Sequence, residues 1–241
     1  MREAITGNGK VLKTCWLEGS GCNLPAGQVG GDFFEFISSD DRTVFAAIGD
    51  VMGKGFTAAR LMETIRQMLQ ECIRINPDPL DVVRRLNKVG GYELRKFGAF
   101  ATLCLLCFDG RTGHVTCVNA GHHPPIVLSN GMVKVAQSRG VALGLLEDYL
   151  GSGAEEFSLA AGDAVVLYTD GLVEASGPGK RRYGQERLKE VIGLQYGADA
   201  DTMKQNILAD LETFTCGFSQ KDDVTLVVIK VTGKVGETGG D

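Results

Sequence analysis

Two runs of alternating apolar residues, separated by a short polar turn, constrain the fold of this chain more than any other feature. Phe33–Ile37 and Thr43–Ile48 each alternate in the manner of a β-strand, and the SDDR segment at 39–42 between them is rich in turn-forming residues. The pattern predicts a β-hairpin. A turn centred on the two aspartates of this segment sets the pairing register and places Asp32 opposite Asp50.

The predicted register brings two carboxylates face to face. Directly opposed residues on antiparallel strands have Cβ atoms about 4.5–5.5 Å apart, and like charges at that separation destabilise a sheet unless a cation lies between them. Mg²⁺ and Mn²⁺ prefer carboxylate, carbonyl and water oxygens as ligands. We therefore interpret Asp32 and Asp50 as one half of a site for divalent cations.

Two further aspartates occupy comparable places in the second half of the chain. Asp170 follows the apolar run 164–169, and Asp222 precedes the run 224–231. If these runs are antiparallel neighbours, both carboxylates lie at the same edge of a sheet. Four carboxylates suit an octahedral oxygen site for one or two hard cations, and two ions about 3.5–4 Å apart would activate a bridging water for phosphoryl displacement. Taken singly, each aspartate has an alternative interpretation as a turn former.

The remainder of the chain changes its period several times, from strand-like alternation to helix-like spacing and back. Asp78 and Pro79 form a clear start signal for a second helix, and Gly90-Gly91 is a candidate interruption of it. The order of the elements predicts an α+β sandwich of antiparallel sheets with helices outside. The predicted strands cover residues 10–18, 101–108, 114–119, 125–129, 132–136, 154–159, 164–169 and 224–231, and the predicted helices cover 57–75 (with Thr57 as N-cap), 79–96, 184–195 and 200–215.

Composition is that of an ordinary globular protein and shows no domain boundary. Of the 241 residues, 44% are hydrophobic and 23% are charged. No segment rich in Pro, Gly or Ser divides the chain convincingly. We predict a single domain over residues 1–231 and a disordered tail over residues 232–241.

Charge and cysteine usage exclude several functional classes. A net charge of -5 argues against binding to nucleic acid or to an anionic membrane surface. The chain starts without the apolar segment of a signal peptide, and its apolar runs are too short to span a bilayer. The seven cysteines lack the paired spacing of a zinc site, so we expect free thiols in a cytoplasmic protein, with Cys104 and Cys107 packed in the core.

Seven short motifs follow one another along the chain. They are VGGDFFEF, IGDVMGKG, NAGHHPP, VALGL, LYTDGLVEA, YGQERL and DDVTLVVI. In this order and at this spacing they resemble the bacterial PP2C-like serine phosphatases of the SpoIIE/RsbU group, part of the metal-dependent PPM superfamily. The resemblance covers roughly residues 24–231. It implies an αββα sandwich in which two mainly antiparallel sheets are flanked by helix pairs, in agreement with the fold inferred from periodicity.

The resemblance also implies roles for individual residues. Asp32 and Asp50 match the aspartates that bridge two Mn²⁺ or Mg²⁺ ions, and Val51 matches a position whose backbone carbonyl is a metal ligand. Asp170 and Asp222 match the remaining aspartates on the second metal. The implied activity is that of a protein serine/threonine phosphatase that uses a metal-activated water.

The resemblance further implies a substrate and a place for partners. Members of the group remove phosphate from phosphoserine or phosphothreonine on small regulatory proteins of the anti-anti-sigma (STAS) type. The helix pair 57–75 and 79–96 matches the element on which an activator or sensor protein switches activity. Many members carry an N-terminal sensor domain, so a chain that begins near the catalytic motifs is expected to be either a stand-alone phosphatase or an excised domain.

The general acid stays open at this stage. Eukaryotic members carry a histidine at the position of Met52, and the SpoIIE/RsbU pattern lacks it as well. Lys54, His122 or a metal-bound water are the candidates for protonating the leaving serine oxygen. His122 and His123 also suit a structural turn before Pro124-Pro125. Glu35 lies on the strand face opposite Asp32, so we do not expect it to be a direct ligand, although it could orient a metal-bound water.

Three rival interpretations account for less of the sequence. GGDFFEF is close to the GGDEF motif of diguanylate cyclases, but Phe33 stands where those enzymes need a carboxylate. TDG at 169–171 lacks the second aspartate of a HAD phosphatase. A catalytically silent phosphatase fold that serves as a binding module predicts a missing ligand, and all four aspartates are present. The basic run 180–182 is either a solvated loop or an attractant for an acidic substrate surface.

Overall fold

The strands and helices follow the predicted order closely. The computed structural model describes residues 2–6 and 9–233, with side chains from residue 9 onward, so the tail predicted at 232–241 lies outside the described residues from 234. The strands are β1 (Arg2–Thr6), β2 (Gly9–Lys13), β3 (Leu17–Leu24), β4 (Asp32–Ser38), β5 (Thr43–Val51), β6 (Ala101–Asp109), β7 (His114–Ala120), β8 (Ile126–Ser129), β9 (Met132–Val135), β10 (Glu155–Ser158), β11 (Ala164–Tyr168) and β12 (Val224–Val231). The helices are α1 (Phe56–Ile75), α2 (Pro79–Lys96), α3 (Asp170–Val173), α4 (Gln185–Gly193) and α5 (Ala200–Thr215), with a 3-10 turn at Pro178–Lys180.

The strands form two antiparallel sheets. One has the order β1-β2-β3-β12-β11-β8-β9 and the other the order β10-β7-β6-β5-β4. Within the second sheet, β4 and β5 pair with Asp32 opposite Asp50, which confirms the predicted register. Within the first, β11 and β12 are antiparallel neighbours with Tyr168 opposite Leu226, which confirms the second predicted pairing.

Three hydrophobic clusters hold four layers together. The first joins the inner faces of the two sheets through side chains such as Phe34 and Val227. The second packs α1 and α2 on the outer face of the five-stranded sheet, and the third packs α4 and α5 on the outer face of the seven-stranded sheet. The αββα sandwich is therefore confirmed. Phe33 and Phe34 belong to different clusters because successive side chains of a strand point to opposite faces.

The first predicted strand, at residues 10–18, is wrong. The chain instead forms β2 and β3 as a hairpin with a break at residues 14–16. Glycines obscured β3 in the sequence, because glycine weakens an ordinary strand. Here Gly19 and Gly21 leave room for aromatic rings of β4, since a Cβ on Gly19 would lie 2.7 Å from Cζ of Phe36 and one on Gly21 would overlap the ring of Phe34.

The start of the first helix also differs from the prediction. The helix begins at Phe56, and its N-cap is Gly55 with φ 78 and no side-chain cap, so the prediction of Thr57 as N-cap is wrong. The positive φ at Gly55 allows the chain to turn directly from the loop after Asp50 into the helix. The second helix begins as predicted, because the Asp78 carboxylate accepts a hydrogen bond from the Asp81 N–H at 2.8 Å.

Gly90 and Gly91 do not interrupt α2. A Cβ on Gly90 would lie 2.7 Å from Cδ1 of Ile65, and one on Gly91 would lie 3.1 Å from the backbone nitrogen of Gly144. The glycines therefore permit close packing of α2 against α1 and against the loop before β10. No helix in the described part of the chain is long and apolar enough to cross a membrane.

The cysteines are free thiols, as expected from their spacing. Cys104 is buried and Cys107 is half-buried on β6. Their side chains belong to different layers, with Cys104 between the sheets and Cys107 packed against the cluster under α1 and α2. This placement agrees with a packing role for both.

Candidate metal centre

Asp32 and Asp50 meet where β4 begins and β5 ends. Asp32 is only 3% exposed, and its Oδ2 accepts hydrogen bonds from the hydroxyls of Thr169 (2.7 Å) and Thr225 (2.8 Å). Both threonines belong to the seven-stranded side of the sandwich, so these bonds tie the two sheets together at this edge. They also fix the orientation of the Asp32 carboxylate.

The electrostatics of this pair show an excess of negative charge. Burial, reinforced by the neighbouring carboxylate of Asp50, raises the pKa of Asp32 to about 8. Burial, together with the charges of Asp170 and Asp222, raises the pKa of Asp50 to about 6. Such shifts arise where carboxylates are gathered without a compensating cation.

A glycine next to Asp170 allows Asp170 and Asp222 to approach each other. A Cβ on Gly171 would overlap the backbone oxygen of Asp223, so only glycine allows the start of α3 to pack against the segment before β12. Burial and the charge of Asp222 raise the pKa of Asp170. The Asp222 side chain is 53% exposed, and its Oδ1 lies 3.1 Å from Nζ of Lys54.

The backbone oxygen of Val51 faces a space that a side chain would fill. A Cβ on Gly31 would overlap this oxygen and would lie 3.3 Å from Oδ1 of Asp50. Gly31 therefore leaves a carbonyl oxygen and a carboxylate oxygen side by side with no side chain over them. This combination of oxygens is the donor set that hard divalent cations use.

Sequence reasoning missed the role of Asp223. Its Oδ1 accepts a hydrogen bond from the N–H of Ala26 (2.8 Å) and its Oδ2 accepts one from the N–H of Gly31 (2.9 Å). Asp223 thereby holds the loop between β3 and β4 against the site and keeps Gly31 in place. The Asp222-Asp223 doublet was the available signal, but sequence alone did not show that its two members have different partners.

The oxygen donors fit a divalent cation, although the carboxylates do not surround a single point. No three Asp, Glu, His or Cys side chains within residues 9–233 enclose a common position that could hold an ion. Two contacts account for this: Oδ2 of Asp32 is turned toward two threonines, and Asp222 is turned toward Lys54. The ammonium group of Lys54 partly compensates the carboxylate charge on the exposed side of the site.

Glu35 and His122 are engaged elsewhere. Glu35 is 3% exposed and accepts hydrogen bonds from Lys10 (2.8 Å) and from Nε of Arg66 (2.7 Å). His122 is buried, its Nδ1 lies 2.7 Å from the hydroxyl of Thr102, and burial lowers its pKa to about 3. A neutral imidazole of such low pKa is a poor donor of a proton to a leaving group.

The remaining candidates from the sequence are the His122-His123 turn, the basic run 180–182 and Met52. The side chain of Asn119 bonds the backbone N–H and C=O of His122, as expected for a structural turn, and the His123 ring stacks on Tyr168 at 5.4 Å. In the basic run, Arg182 pairs with Glu174 at 2.8 Å, and both side chains are exposed. Met52 is also exposed.

Two antiparallel sheets, helix pairs on both outer faces and four aspartates at one edge define the PP2C-like class of phosphatases. The family model for Stage II sporulation protein E (SpoIIE) matches residues 40–232. The match covers most of the chain, and the chain belongs to this family.

Among curated proteins, the chain is similar to Protein IcfG of Synechocystis sp., with 28% identity over 235 residues that cover 85% of this chain and 36% of IcfG. It is also similar to the phosphoserine phosphatase RsbU of Bacillus subtilis, with 27% identity over 213 residues that cover 86% of this chain and 61% of RsbU. The chain thus spans between about a third and three-fifths of the length of these relatives.

Solved structures show the same fold. The RsbU and RsbW domains of Rv1364c from Mycobacterium tuberculosis align with a TM-score of 0.80 and 22% identity over 92% of this chain and 61% of that chain. The catalytic domain of the serine threonine protein phosphatase PstP, solved in complex with 2 manganese ions, aligns with a TM-score of 0.62 and 18% identity over 90% of this chain and 99% of that chain.

Proposed function

We propose that this chain is a metal-dependent protein serine/threonine phosphatase. In this proposal Asp32, Asp50, Asp170, Asp222 and the backbone oxygen of Val51 hold Mn²⁺ or Mg²⁺, as two ions. The observation that carries the proposal is the opposition of Asp32 and Asp50 across β4 and β5, beside the carbonyl oxygen of Val51, which a side chain at position 31 would overlap. The two manganese ions in the PstP structure agree with it.

The bound ions would supply a lowered pKa for water and a counter-charge for the phosphoryl oxygens. The residues of the chain prepare the place for that chemistry. Thr169 and Thr225 hold the Asp32 carboxylate in one orientation, and Asp223 holds the loop that carries Gly31. Asp222 would hold an ion from the exposed side of the site, where its Oδ1 lies 3.1 Å from Nζ of Lys54 and accepts a hydrogen bond from the Asp223 N–H.

Lys54 is the proposed proton donor or phosphate contact. Its Nζ lies at the rim beside Asp222 and also donates a hydrogen bond to the backbone oxygen of Lys221 at 2.9 Å. From this place at the rim Lys54 would face a phosphate bound at the aspartates or its leaving oxygen. His122 is less suitable because it is buried and neutral.

The proposed substrate is a phosphoserine or phosphothreonine on a small regulatory protein of the anti-anti-sigma (STAS) type, in the cytoplasm. The name of RsbU, a phosphoserine phosphatase, supports the chemistry, and the RsbU and RsbW domains of Rv1364c support a partner-switching setting. An activating or sensor protein would act on α1 and α2. Residues 1–231 are proposed to form one phosphatase domain.

A silent binding module is the second candidate. The presence of all four aspartates, with raised pKa values for the carboxyls of Asp32, Asp50 and Asp170, disfavours it, because a module without catalysis has no need to gather uncompensated charges.

Phosphate release from synthetic peptides tests the proposed activity. Peptides that carry phosphoserine, phosphothreonine or phosphotyrosine are incubated with the chain in Mn²⁺, in Mg²⁺ and in EDTA. We expect release from phosphoserine and phosphothreonine with either metal and none in EDTA. Equal release in EDTA would contradict metal dependence, and a preference for phosphotyrosine would contradict the substrate class.

A further inference from the structure

A cavity opens directly beside the aspartates of the metal centre. It has a volume of about 460 Å³, and its lining includes Gly171 and Asp222. Gly171 follows Asp170 in the chain, and Asp222 is itself a proposed ligand, so the cavity borders the metal centre. We call this cavity the side pocket. A second cavity of about 670 Å³, lined by residues such as Lys10 and Arg66, shares no residue with the metal centre.

Apolar side chains form one part of the lining of the side pocket. Leu24 and Val224 contribute from the seven-stranded sheet, and Leu208 and Leu211 contribute from α5. Phe218 forms part of the lining while 52% of its surface is exposed. The volume falls within the range of about 300–1,000 Å³ that is usual for ligand sites, and the lining is of the type that receives an apolar group.

The rim of the side pocket carries both signs of charge. Arg182 and Glu174 neutralise each other in an ion pair at 2.8 Å. Glu212 and Lys221 add one charge of each sign. With Asp222 the lining carries three carboxylates and two cations, so it does not favour an acidic ligand, and the apolar side chains of the lining are the part that suits an apolar group.

The side pocket is held open by hydrogen bonds. Nε2 of Gln220 donates to the backbone oxygens of Leu24 (2.6 Å) and Asp222 (2.7 Å). These bonds fasten the segment after α5 to β3 and keep Phe218 at the edge of the cavity. A preformed pocket binds its ligand with a smaller ordering cost than one that must form.

We infer that the side pocket receives a large apolar side chain of the substrate protein, close in sequence to the phosphorylated serine. This inference rests on the proposed function. Gly171 and Asp222 line the side pocket beside the metal centre, so a substrate whose phosphoserine lies at the aspartates would have its neighbouring residues near the opening, since an extended chain covers about 3.3–3.6 Å per residue. The side pocket would thus distinguish one phosphoprotein from another while the metal centre performs the same chemistry on each.

Paired variants on α5 test the inference. Thr215 lines the side pocket, whereas the nearby Thr213 does not, and each hydroxyl donates to a backbone oxygen of its own helix. Thr215→Trp places an indole in the pocket, and Thr213→Trp is the matched control. The substrates are phosphoserine peptides in an alanine background, each with one leucine at a position within three residues of the phosphoserine, together with the all-alanine peptide.

The readout is the ratio of kcat/KM for each leucine peptide to that for the all-alanine peptide. For the unmodified chain we expect at least one leucine position with a ratio of about ten or more, because filling an apolar pocket discriminates by about 10–200-fold. The ratio should fall to about one in Thr215→Trp and persist in Thr213→Trp. Equal ratios in all three proteins, or no leucine preference in the unmodified chain, would overturn the inference.

Failure of the proposed function gives a different result. If no phosphoester is hydrolysed under any metal condition, the same peptides, fluorescently labelled, are titrated with the chain in Mn²⁺ and their binding is followed by anisotropy. Tighter binding of a leucine peptide that is lost only in Thr215→Trp would support the side pocket without catalysis. Equal Kd values for the leucine and alanine peptides would overturn it.

Discussion

At the scale of single residues, Asp32 is a buried carboxyl with a strongly raised pKa. It is nearly inaccessible to water, its neighbours include Asp50, and its pKa is raised from 3.8 to about 8. Between these two values the folded ion-free chain retains a proton that the unfolded chain has lost. Ions that enter the site must displace this proton, so metal binding and pH are linked.

The linkage has a definite sign. Because the folded state binds more protons than the unfolded state, the free energy of unfolding in EDTA should fall as the pH rises toward 8. Saturating Mn²⁺ should raise the melting temperature by about 5–10 °C, and the rise should be larger at about pH 8 than at about pH 6. Thermal melts at both pH values measure these changes in stability. Asp32→Asn, which lacks the titrating carboxyl, is the control. An unchanged melting temperature in saturating Mn²⁺ would count against the metal centre.

Gly31 is the residue that keeps side-chain atoms away from the carbonyl oxygen of Val51. Gly31→Ala should weaken Mn²⁺ binding by about 10–100-fold, as loss of a supporting contact in a metal site typically does, because the new Cβ would overlap that oxygen. Isothermal titration with Mn²⁺ measures the change. Gly27→Ala, in the same loop with nothing within 4 Å of its new Cβ, is the matched control and should bind as the unmodified chain does. Unchanged affinity in Gly31→Ala would exclude Val51 as a ligand.

The residue scale also shows what the sequence could and could not predict. The opposition of Asp32 and Asp50 followed from the alternating pattern and the turn between the strands. The bonds from Thr169 and Thr225 to Asp32 could not be predicted, because they join segments far apart in the chain whose relative depth depends on sheet packing. Asp223 was visible as a neighbour of Asp222, but its partners in the loop after β3 were not.

At the scale of elements, α1 is fastened to both sheets by one buried carboxylate. Glu35 on β4 accepts hydrogen bonds from Arg66 on α1 and from Lys10 on β2. The helix that is the proposed target of partners is therefore tied electrostatically to the strand that carries Asp32. A buried charge of this kind stabilises the fold only while its partners are present.

Removal of the carboxylate tests this connection. Glu35→Gln should lower the free energy of unfolding by about 3 kcal/mol, because it removes the buried carboxylate charge that Lys10 and Arg66 share. Glu63→Gln, which removes the other partner of Arg66 at a side chain 50% exposed, should change it by no more than about 0.5 kcal/mol. Urea unfolding measures both. Equal effects of the two substitutions would contradict a special role for Glu35.

Elements with a clear periodic pattern were predicted well. The strand Val224–Val231 and the helix Ala200–Thr215 have the predicted bounds, and the strand is a continuous apolar run in the sequence. β3 was missed because its glycines are typical of a loop. These glycines make room for the rings of Phe34 and Phe36, which belong to the opposite sheet. Tertiary packing thus decided the element for which local propensity was misleading.

At the scale of the whole molecule, the sandwich brings together residues from three distant parts of the chain. Asp32 and Asp50 come from the five-stranded sheet, whereas Asp170 and Asp222 flank neighbouring strands of the seven-stranded sheet. The αββα layering was predictable from the order of helical and strand-like periods. The side pocket was not, because its wall combines α5, β3 and the segment before β12.

The central claim is that this edge of the sandwich hydrolyses phosphate esters with the help of divalent cations. Hydrolysis of p-nitrophenyl phosphate tests it most directly, with the unmodified chain in Mn²⁺ and in EDTA and with Asp50→Asn in Mn²⁺. Asp41→Asn, at the turn of the same hairpin, is the matched control. We expect activity in Mn²⁺ for the unmodified chain and for Asp41→Asn, and loss of activity in EDTA and in Asp50→Asn. Activity that persists in EDTA or in Asp50→Asn would contradict the claim.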